Sequence, residues 1–158
     1  MAPPDFEAKK ARKRSDYGYH QLHQTRWFDN DMYAHLNNTV YTALFDTIAN
    51  SYLIEHCGMD PFIGTDQIGL IVNTSCDFFA SVAFPDILEV GLRVAKLGSS
   101  SVTWEIGVFR KGEEDVKMVG TYTHVFVFRE TMRVGKGGMA SNVRSGLEKL
   151  LNSPGAKL

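Results

Sequence analysis

Cysteine is scarce in this chain: only Cys57 and Cys76 occur, and neither falls in a CxxC or Cys/His cluster. That excludes a disulfide framework and gives no zinc-ligand pattern, so both fit buried thiols in a reducing compartment. Charge of one sign is lacking too, because 17 Lys and Arg against 18 Asp and Glu leave a net −1. A generally basic nucleic-acid binder is thereby excluded, since its affinity comes from many phosphate neutralisations. No apolar run approaches the ~18 residues of a membrane-spanning helix. Internal repeats and low-complexity stretches are also missing. What is present, 44% hydrophobic residues in a chain of 158, suits one domain with a substantial core and leaves no room for a second.

The chain is organised around Arg26 to Tyr52. A polar loop packs Asp29, Asn30, Asp31, His35, Asn37 and Asn38 into ten positions ahead of a helix. From Val40 onward, Tyr41, Leu44, Phe45, Ile48, Ala49, Tyr52 and Leu53 fall at the spacing of one buried helical face. Asn37 is a good N-cap type, which places the Asn38 amide among the first N–H groups, those without an intrahelical partner. The helix dipole adds positive charge at this end, so the site suits an anion or a polarised carbonyl.

Residues 1 to 18 hold Lys9, Lys10, Arg12, Lys13 and Arg14 with few large apolar residues, and a disordered basic tail is expected. Alternative readings are a nuclear signal or a clamp on an anionic ligand. Asp5 and Glu7 and the want of an apolar stretch argue against a targeting presequence. His20 to Phe28 is predicted as the first strand. On it His20 and His23 point to opposite faces, which argues against chelation. His56 suits the C-terminal end of the helix dipole. After Gly58 and Pro61 come strand patterns at Ile68 to Ala80, Leu88 to Ala95, Ser101 to Val108 and Val116 to Phe128, separated by Pro85-Asp86, Gly98-Ser99-Ser100 and Lys111 to Asp115. Val116 to Phe128 is apolar on both faces and is expected inside the sheet. Val143, Leu147, Leu150 and Leu151 mark a short last helix. The order predicts an α+β fold: an antiparallel sheet wrapped on one helix.

The segments RWFDNDMYAHLNNTVYTALFD, YLIEHCGMDPF, TSCDFFASVAFPDILEVGLRV and LGSSSVTWEIGVFR resemble the hotdog-fold acyl-CoA thioesterases of the 4-hydroxybenzoyl-CoA thioesterase-like family, in family order across roughly residues 19 to 134. The resemblance implies a curved five-stranded antiparallel sheet around one long helix, here followed by a short C-terminal helix. It also implies assembly as a homodimer or homotetramer. The expected organisation is a tail at 1–18, a hotdog domain at 19–134, and a linker, short helix and targeting tail at 135–158. The implied activity is hydrolysis of an acyl-CoA to the free acid and coenzyme A, without a metal or separate cofactor, coenzyme A being part of the substrate.

By the same resemblance Asp31 matches the family's catalytic carboxylate and the backbone N–H of Asn38 its carbonyl-polarising donor. The form His35, Asn37, Asn38 is nearer to the fatty acyl-CoA members than to those with aromatic substrates. Asp31 would act as general base or as nucleophile. Turn chemistry is the plainer explanation of an isolated D-x-D pair. Asp29 is expected to bond loop amides and His35 to orient the loop or line the thioester. Asp46 competes for the acid role, since related branches place a catalytic Glu within the helix, but it points away from the apolar stripe and is expected as a solvated or dimer-facing acid. Arg129, Arg133 and Lys136 are candidate coenzyme A contacts, with a solvated charged face as the alternative. The functional rival is a non-catalytic hotdog subunit that binds acyl-CoA or a partner; a hydratase of the same fold is a poorer third reading, because the loop pairing of Asp and His characteristic of hydratases is not found in this sequence. Ala156-Lys157-Leu158 is a conservative match to the Ser-Lys-Leu address read by the peroxisomal import receptor, so a peroxisomal matrix enzyme is expected, with the cytoplasm as the alternative.

Overall fold

The structure, a computed structural model, describes residues 5–60, 62 and 64–153, so the tripeptide Ala156-Lys157-Leu158 lies outside the described residues. Five strands, β1 (Tyr19–Gln24), β2 (Gln67–Phe78), β3 (Ile87–Leu97), β4 (Ser101–Arg110) and β5 (Val116–Phe128), pair antiparallel in the order β1-β3-β4-β5-β2. Three α-helices accompany them: α1 (Phe6–Lys10), α2 (Asn38–Cys57) and α3 (Ser141–Leu151). This is the α+β hotdog arrangement the resemblance implied, with β5 inside the sheet and β2 at an edge.

α2 lies on the inner face, where Tyr41, Leu44, Phe45, Ile48, Ala49, Tyr52 and Leu53 are buried as their spacing required. They meet Trp104 and Ile106 of β4 and Met118, Tyr122 and Phe126 of β5 in one core. α3 adds Val143, Leu147 and Leu150 to that core, and the Tyr52 hydroxyl donates to the Gly146 carbonyl at 2.8 Å. Gly58, at φ 66°, ends α2 in the left-handed region that favours glycine.

Two expectations are corrected. The first strand stops at Gln24 and a single 3-10 turn follows at Trp27–Asp29. The cause is local: the Thr25 hydroxyl donates to the Ala83 and Asp86 carbonyls, and the Asp29 carboxylate accepts the Arg26 N–H at 2.7 Å. The larger correction concerns the basic tail. Residues 5–18 are ordered across the outer face of the sheet, as α1 and a 3-10 turn at Arg14–Asp16. Phe6 packs edge-on against Phe79 at 5.0 Å, and Tyr17 joins Phe109, Val116 and Val119 in a second apolar cluster. The Tyr17 ring fits because Gly91 and Gly107 carry no side chain there; a Cβ on either would stand 2.7 or 2.5 Å from it.

Three of the five cations of this segment, Lys9, Arg12 and Arg14, are bonded rather than solvated. Lys9 reaches Asp77 at 2.7 Å, Arg14 reaches Glu89 at 2.8 Å, and Arg12 donates to Glu105 at 2.7 Å. A run of Lys and Arg looks like a solvated face in one dimension because the matching acids are displayed by strands 60 or more residues away. Residues of α3 join the core as well.

Glu105 is the buried acid of this outer layer, 5% exposed, and also accepts from Arg93 at 3.1 Å and from the Tyr17 hydroxyl at 3.3 Å. Burial raises its carboxyl, but the hydrogen bond from Arg12 and the charges of Arg93 and Arg12 outweigh that and hold it below the usual range. A depressed carboxyl stabilises the fold above its unfolded pKa, and that contribution is lost as the pH falls through the lower folded value. Arg12→Ala is therefore expected to lower unfolding free energy at pH 7 by about 3 kcal/mol. Urea titrations of the wild type and Glu105→Gln at falling pH check the cause: the gap between them should narrow as the pH falls below the usual carboxylate range.

Candidate active site

The loop ahead of α2 is fixed by its own polar side chains. Asp29, 1% exposed, accepts the Arg26 N–H at 2.7 Å and the Arg26 guanidinium at 2.8 Å. Burial pushes the Asp29 carboxyl up, but the hydrogen bonds from the Arg26 side chain and backbone lower it further than burial raises it. Its carbonyl accepts the Asn37 N–H at 2.7 Å, and Leu36 N–H donates to the Val82 carbonyl at 2.8 Å. Asn30 holds the Phe84 N–H at 2.9 Å. The expected structural role of Asp29 is thus met by the Arg26 amide and guanidinium together.

Asp31 closes the loop. Its Oδ1 accepts the Tyr33 N–H at 2.8 Å and the His35 N–H at 3.2 Å, and its own N–H donates to the His35 carbonyl. The second carboxylate oxygen, Oδ2, has no protein donor among the described residues. Ala34, between them, holds φ 61°, a left-handed conformation that costs a non-glycine residue of order 1 kcal/mol and is stored where the surroundings over-determine it.

Asn37 caps α2 as its type suggested: its side chain accepts the Thr39 N–H at 3.0 Å and the Thr39 hydroxyl at 2.9 Å. The Asn38 N–H is left without an acceptor among the described residues, at the positive end of a 20-residue helix. A hollow of about 310 Å³ opens there, lined by His35, Asn38, Tyr41, Phe78 and Phe79 among others. A neighbouring hollow of about 250 Å³ holds Asp31 with Trp27, Asn30 and Met32. Within one chain His35 and Asn38 therefore share one hollow and Asp31 lines another, formed by the same loop. The rim is apolar and open: Trp27, Phe28, Met32 and Tyr33 are all exposed.

The basic candidates lie elsewhere. Arg129 N–H donates to the Asp66 carbonyl at the start of β2, and the Arg133 carbonyl accepts from Phe128. Arg129 and Lys136 line two adjoining hollows that share Gly64, Thr65, Asp66 and Phe128. Phe78, which faces Asn38, stands at the far end of the 12-residue strand β2, about 35 Å away at about 3.3 Å per residue. Arg129, Arg133 and Lys136 thus share no site with Asn38 inside one chain, because strand register carried them to opposite ends.

Asp46 is exposed on α2, yet it is not purely solvated: the Tyr122 hydroxyl donates to it at 2.9 Å and the Asn50 amide at 3.0 Å. Behind Tyr122 lies His124, which sequence reasoning missed. It is 2% exposed and accepts the Trp104 indole N–H on Nδ1 at 3.0 Å. Burial pushes its pKa down to about 4, against the opposing pull of Asp46, so the ring is neutral at physiological pH. The available signal was its place in the alternation Tyr122, His124, Phe126, which puts an imidazole on the face that packs on α2.

The family model described as the thioesterase superfamily matches residues 33–117, a range that contains His35 and Asn38 and starts two residues after Asp31. Among solved structures, the PA5185 protein from Pseudomonas aeruginosa is 46% identical, with 87% of this chain and 94% of that one covered and a TM-score of 0.82. Slr0204 from Synechocystis, described as a 1,4-dihydroxy-2-naphthoyl-CoA thioesterase, is 15% identical over 84% of this chain and 96% of that one, with a TM-score of 0.73. SAV2348 from Staphylococcus aureus, solved in complex with CoA, is 9% identical over 85% of this chain and 84% of that one, with a TM-score of 0.78. At such identities the last two show the fold alone. A comparison with curated proteins gives no match.

If the loop depends on Asp29 as described, Asp29→Ala should lower stability by about 2 kcal/mol. Amide hydrogen exchange locates the effect: protection of the Asn37 and Asp31 N–H groups should drop, while that of β4 stays unchanged.

Proposed function

Because the chain belongs to the thioesterase superfamily and is a thioester hydrolase, we propose that its substrate is an acyl-CoA, a fatty acyl-CoA in particular, cleaved to the free acid and coenzyme A. The observation that carries this reading is the unpaired Asn38 N–H, held at the start of α2 beside an apolar hollow. A thioester carbonyl placed there accepts that N–H, and the developing oxyanion gains from the helix dipole; one such donor is typically worth 10²- to 10³-fold, about 3 to 4 kcal/mol. The free oxygen of Asp31 then either takes a proton from the attacking water or attacks the carbonyl itself to form a mixed anhydride. His35 lines the same hollow as Asn38 and ties the loop through its backbone. The CoA-bound state of the Staphylococcus aureus structure is compatible with this substrate class.

The working unit is a dimer. β2 is an edge strand with no Pro, Lys or Glu along it, and Ile71 and Val72 on it are exposed at 40% and 61%. Such an unprotected edge invites pairing with another strand. Antiparallel pairing of β2 with β2 of a second copy reverses the strand ends, which brings Arg129 of the partner subunit and Lys136 of the partner subunit towards Asn38, where they suit coenzyme A phosphates.

Asp31→Asn should lower kcat at least about 10³-fold in a thiol-release assay over a panel of acyl-CoAs, with coenzyme A binding retained, whereas Asp46→Asn should cost little. Loss of turnover in Asp46→Asn alone would assign the acid to the helix. No thiol release from any acyl-CoA by the wild type would favour a non-catalytic binding subunit. Val72→Lys should dissociate the dimer in sedimentation and abolish turnover with it; full activity in a monomer would contradict the shared site.

A further inference from the structure

The hollow beside the Asn38 N–H has walls of different origin. His35 and Leu36 belong to the loop, Asn38 and Tyr41 to α2, and the rest is residues 78–81, the end of β2 and the chain just beyond it. Successive residues of a strand point to opposite faces, and Phe78 and Phe79 divide accordingly. Phe78 turns inward, its ring 5.1 Å from that of Tyr41. Phe79 turns outward, its ring 5.0 Å from that of Phe6 and packed on the cluster that holds Tyr17. One aromatic residue of the wall is therefore held by α2 and the next by the N-terminal segment.

The backbone fixes this stretch less firmly than the strand before it. The ladder between β2 and β5 ends at Phe78 and Met118. Past it a single carbonyl, that of Lys117, accepts both the Phe79 N–H at 2.9 Å and the Ala80 N–H at 3.1 Å. α1 supplies the further ties. Phe6 and Lys9, three residues apart, share one face of that helix, and Asp77 and Phe79, two apart, share the outer face of the sheet. The Lys9 ammonium donates to Asp77 at 2.7 Å and is also held by Asp5 at 2.9 Å. Its side chain is only 14% exposed, so solvent screens the pair less than an open surface pair.

We infer that Phe6 and Lys9 are positioning residues of the substrate hollow: from the outer face they hold Phe79 and Asp77, and so fix the width available to the acyl carbons next to the thioester. This rests on the acyl-CoA reading for the identity of the ligand. Without the Phe6 ring, Phe79 gains freedom to swing, and a branched carbon beside the carbonyl fits where only a straight chain did. Loss of one edge-to-face ring pair shifts such a preference by up to about 10-fold. Asp31 lines the other hollow, formed by the loop, so turnover of a bound straight chain should stay as it was.

The experiment compares kcat/KM for straight-chain acyl-CoAs with that for isomers branched at the carbon next to the carbonyl. The wild type should favour the straight chain. Phe6→Ala should lower that ratio by about 10-fold, through KM, with kcat on the straight chain close to wild type. Lys9→Met should lower it too, and Phe6→Leu, which keeps an apolar group against Phe79, should retain most of it. Arg12→Ala is the control for stability alone, because it unties the same segment from Glu105, which does not line the hollow. It should leave the ratio intact. A ratio near one in the wild type, a ratio unchanged in Phe6→Ala, or one lowered equally in Arg12→Ala overturns the inference. A second arm needs no turnover. Amide exchange of Phe79 and Ala80 should quicken in Phe6→Ala while that of β3 stays unchanged. Calorimetry with non-hydrolysable ketones, which carry a methylene in place of the thioester sulfur, should show the same loss of selectivity between straight and branched chains. Unchanged exchange at both amides, or faster exchange with selectivity intact, overturns the inference even if the protein hydrolyses acyl-CoAs. The loss of selectivity in a protein that hydrolyses none supports it while removing the thioesterase reading.

Discussion

α2 can lie this close to the sheet only because Gly120 has no side chain. A Cβ there would stand 2.3 Å from the Phe45 ring, a distance that no rotamer change of a fully buried phenylalanine absorbs. The contact sets the height of the helix above β5, and several other features follow from that height. Tyr122 is brought within 2.9 Å of Asp46, Tyr52 within 6.0 Å of Trp104 ring to ring, and the capped start of α2 reaches Phe78 through Tyr41 at 5.1 Å. The polar loop then has a fixed end to close onto. Its strained Ala34 and the carboxylates of Asp29 and Asp31 before it are held against that end.

The two faces of the sheet are covered by different chemistry. Inside, a helix buries aliphatic and aromatic surface by periodic spacing, and outside, a 14-residue crossing segment, residues 5 to 18, brings Arg12 to join Arg93 of β3 around one buried glutamate and lays a tyrosine over two glycines. The second cover spares the monomer much of the exposure that two-sided apolar strands imply. Among the apolar surfaces left exposed are Ile71 and Val72 on the edge of β2 and the aromatic residues around Asp31.

Much of this was legible in the sequence where one physical cause dominates locally. The 3.6-residue spacing from Val40, the Asn37 cap and the alternation in β3 and β4 depend on neighbours in the chain, and α2 and those strands lie where the pattern put them. The resemblance supplied the roles of Asp31 and Asn38, which spacing alone leaves as turn chemistry and a helix start. Three things were not legible because their causes lie far along the chain. The order of residues 5–18 depends on Asp77, Glu89 and Glu105. The separation of Arg129, Arg133 and Lys136 from Asn38 depends on strand register. The buried hydrogen bond of His124 depends on Trp104, 20 residues earlier, donating to its Nδ1.

At the centre stands one claim, that the Asn38 N–H polarises the thioester carbonyl. Its most direct test is the carbonyl stretch of a ¹³C=O-labelled acyl-CoA bound to Asp31→Asn protein, expected to bind without rapid turnover, recorded by isotope-edited infrared difference spectroscopy. Polarisation at the start of α2 should move the stretch to lower frequency than in free acyl-CoA, and replacement of the Asn38 amide by an ester linkage should return it. A bound carbonyl with the frequency of the free thioester would contradict the account.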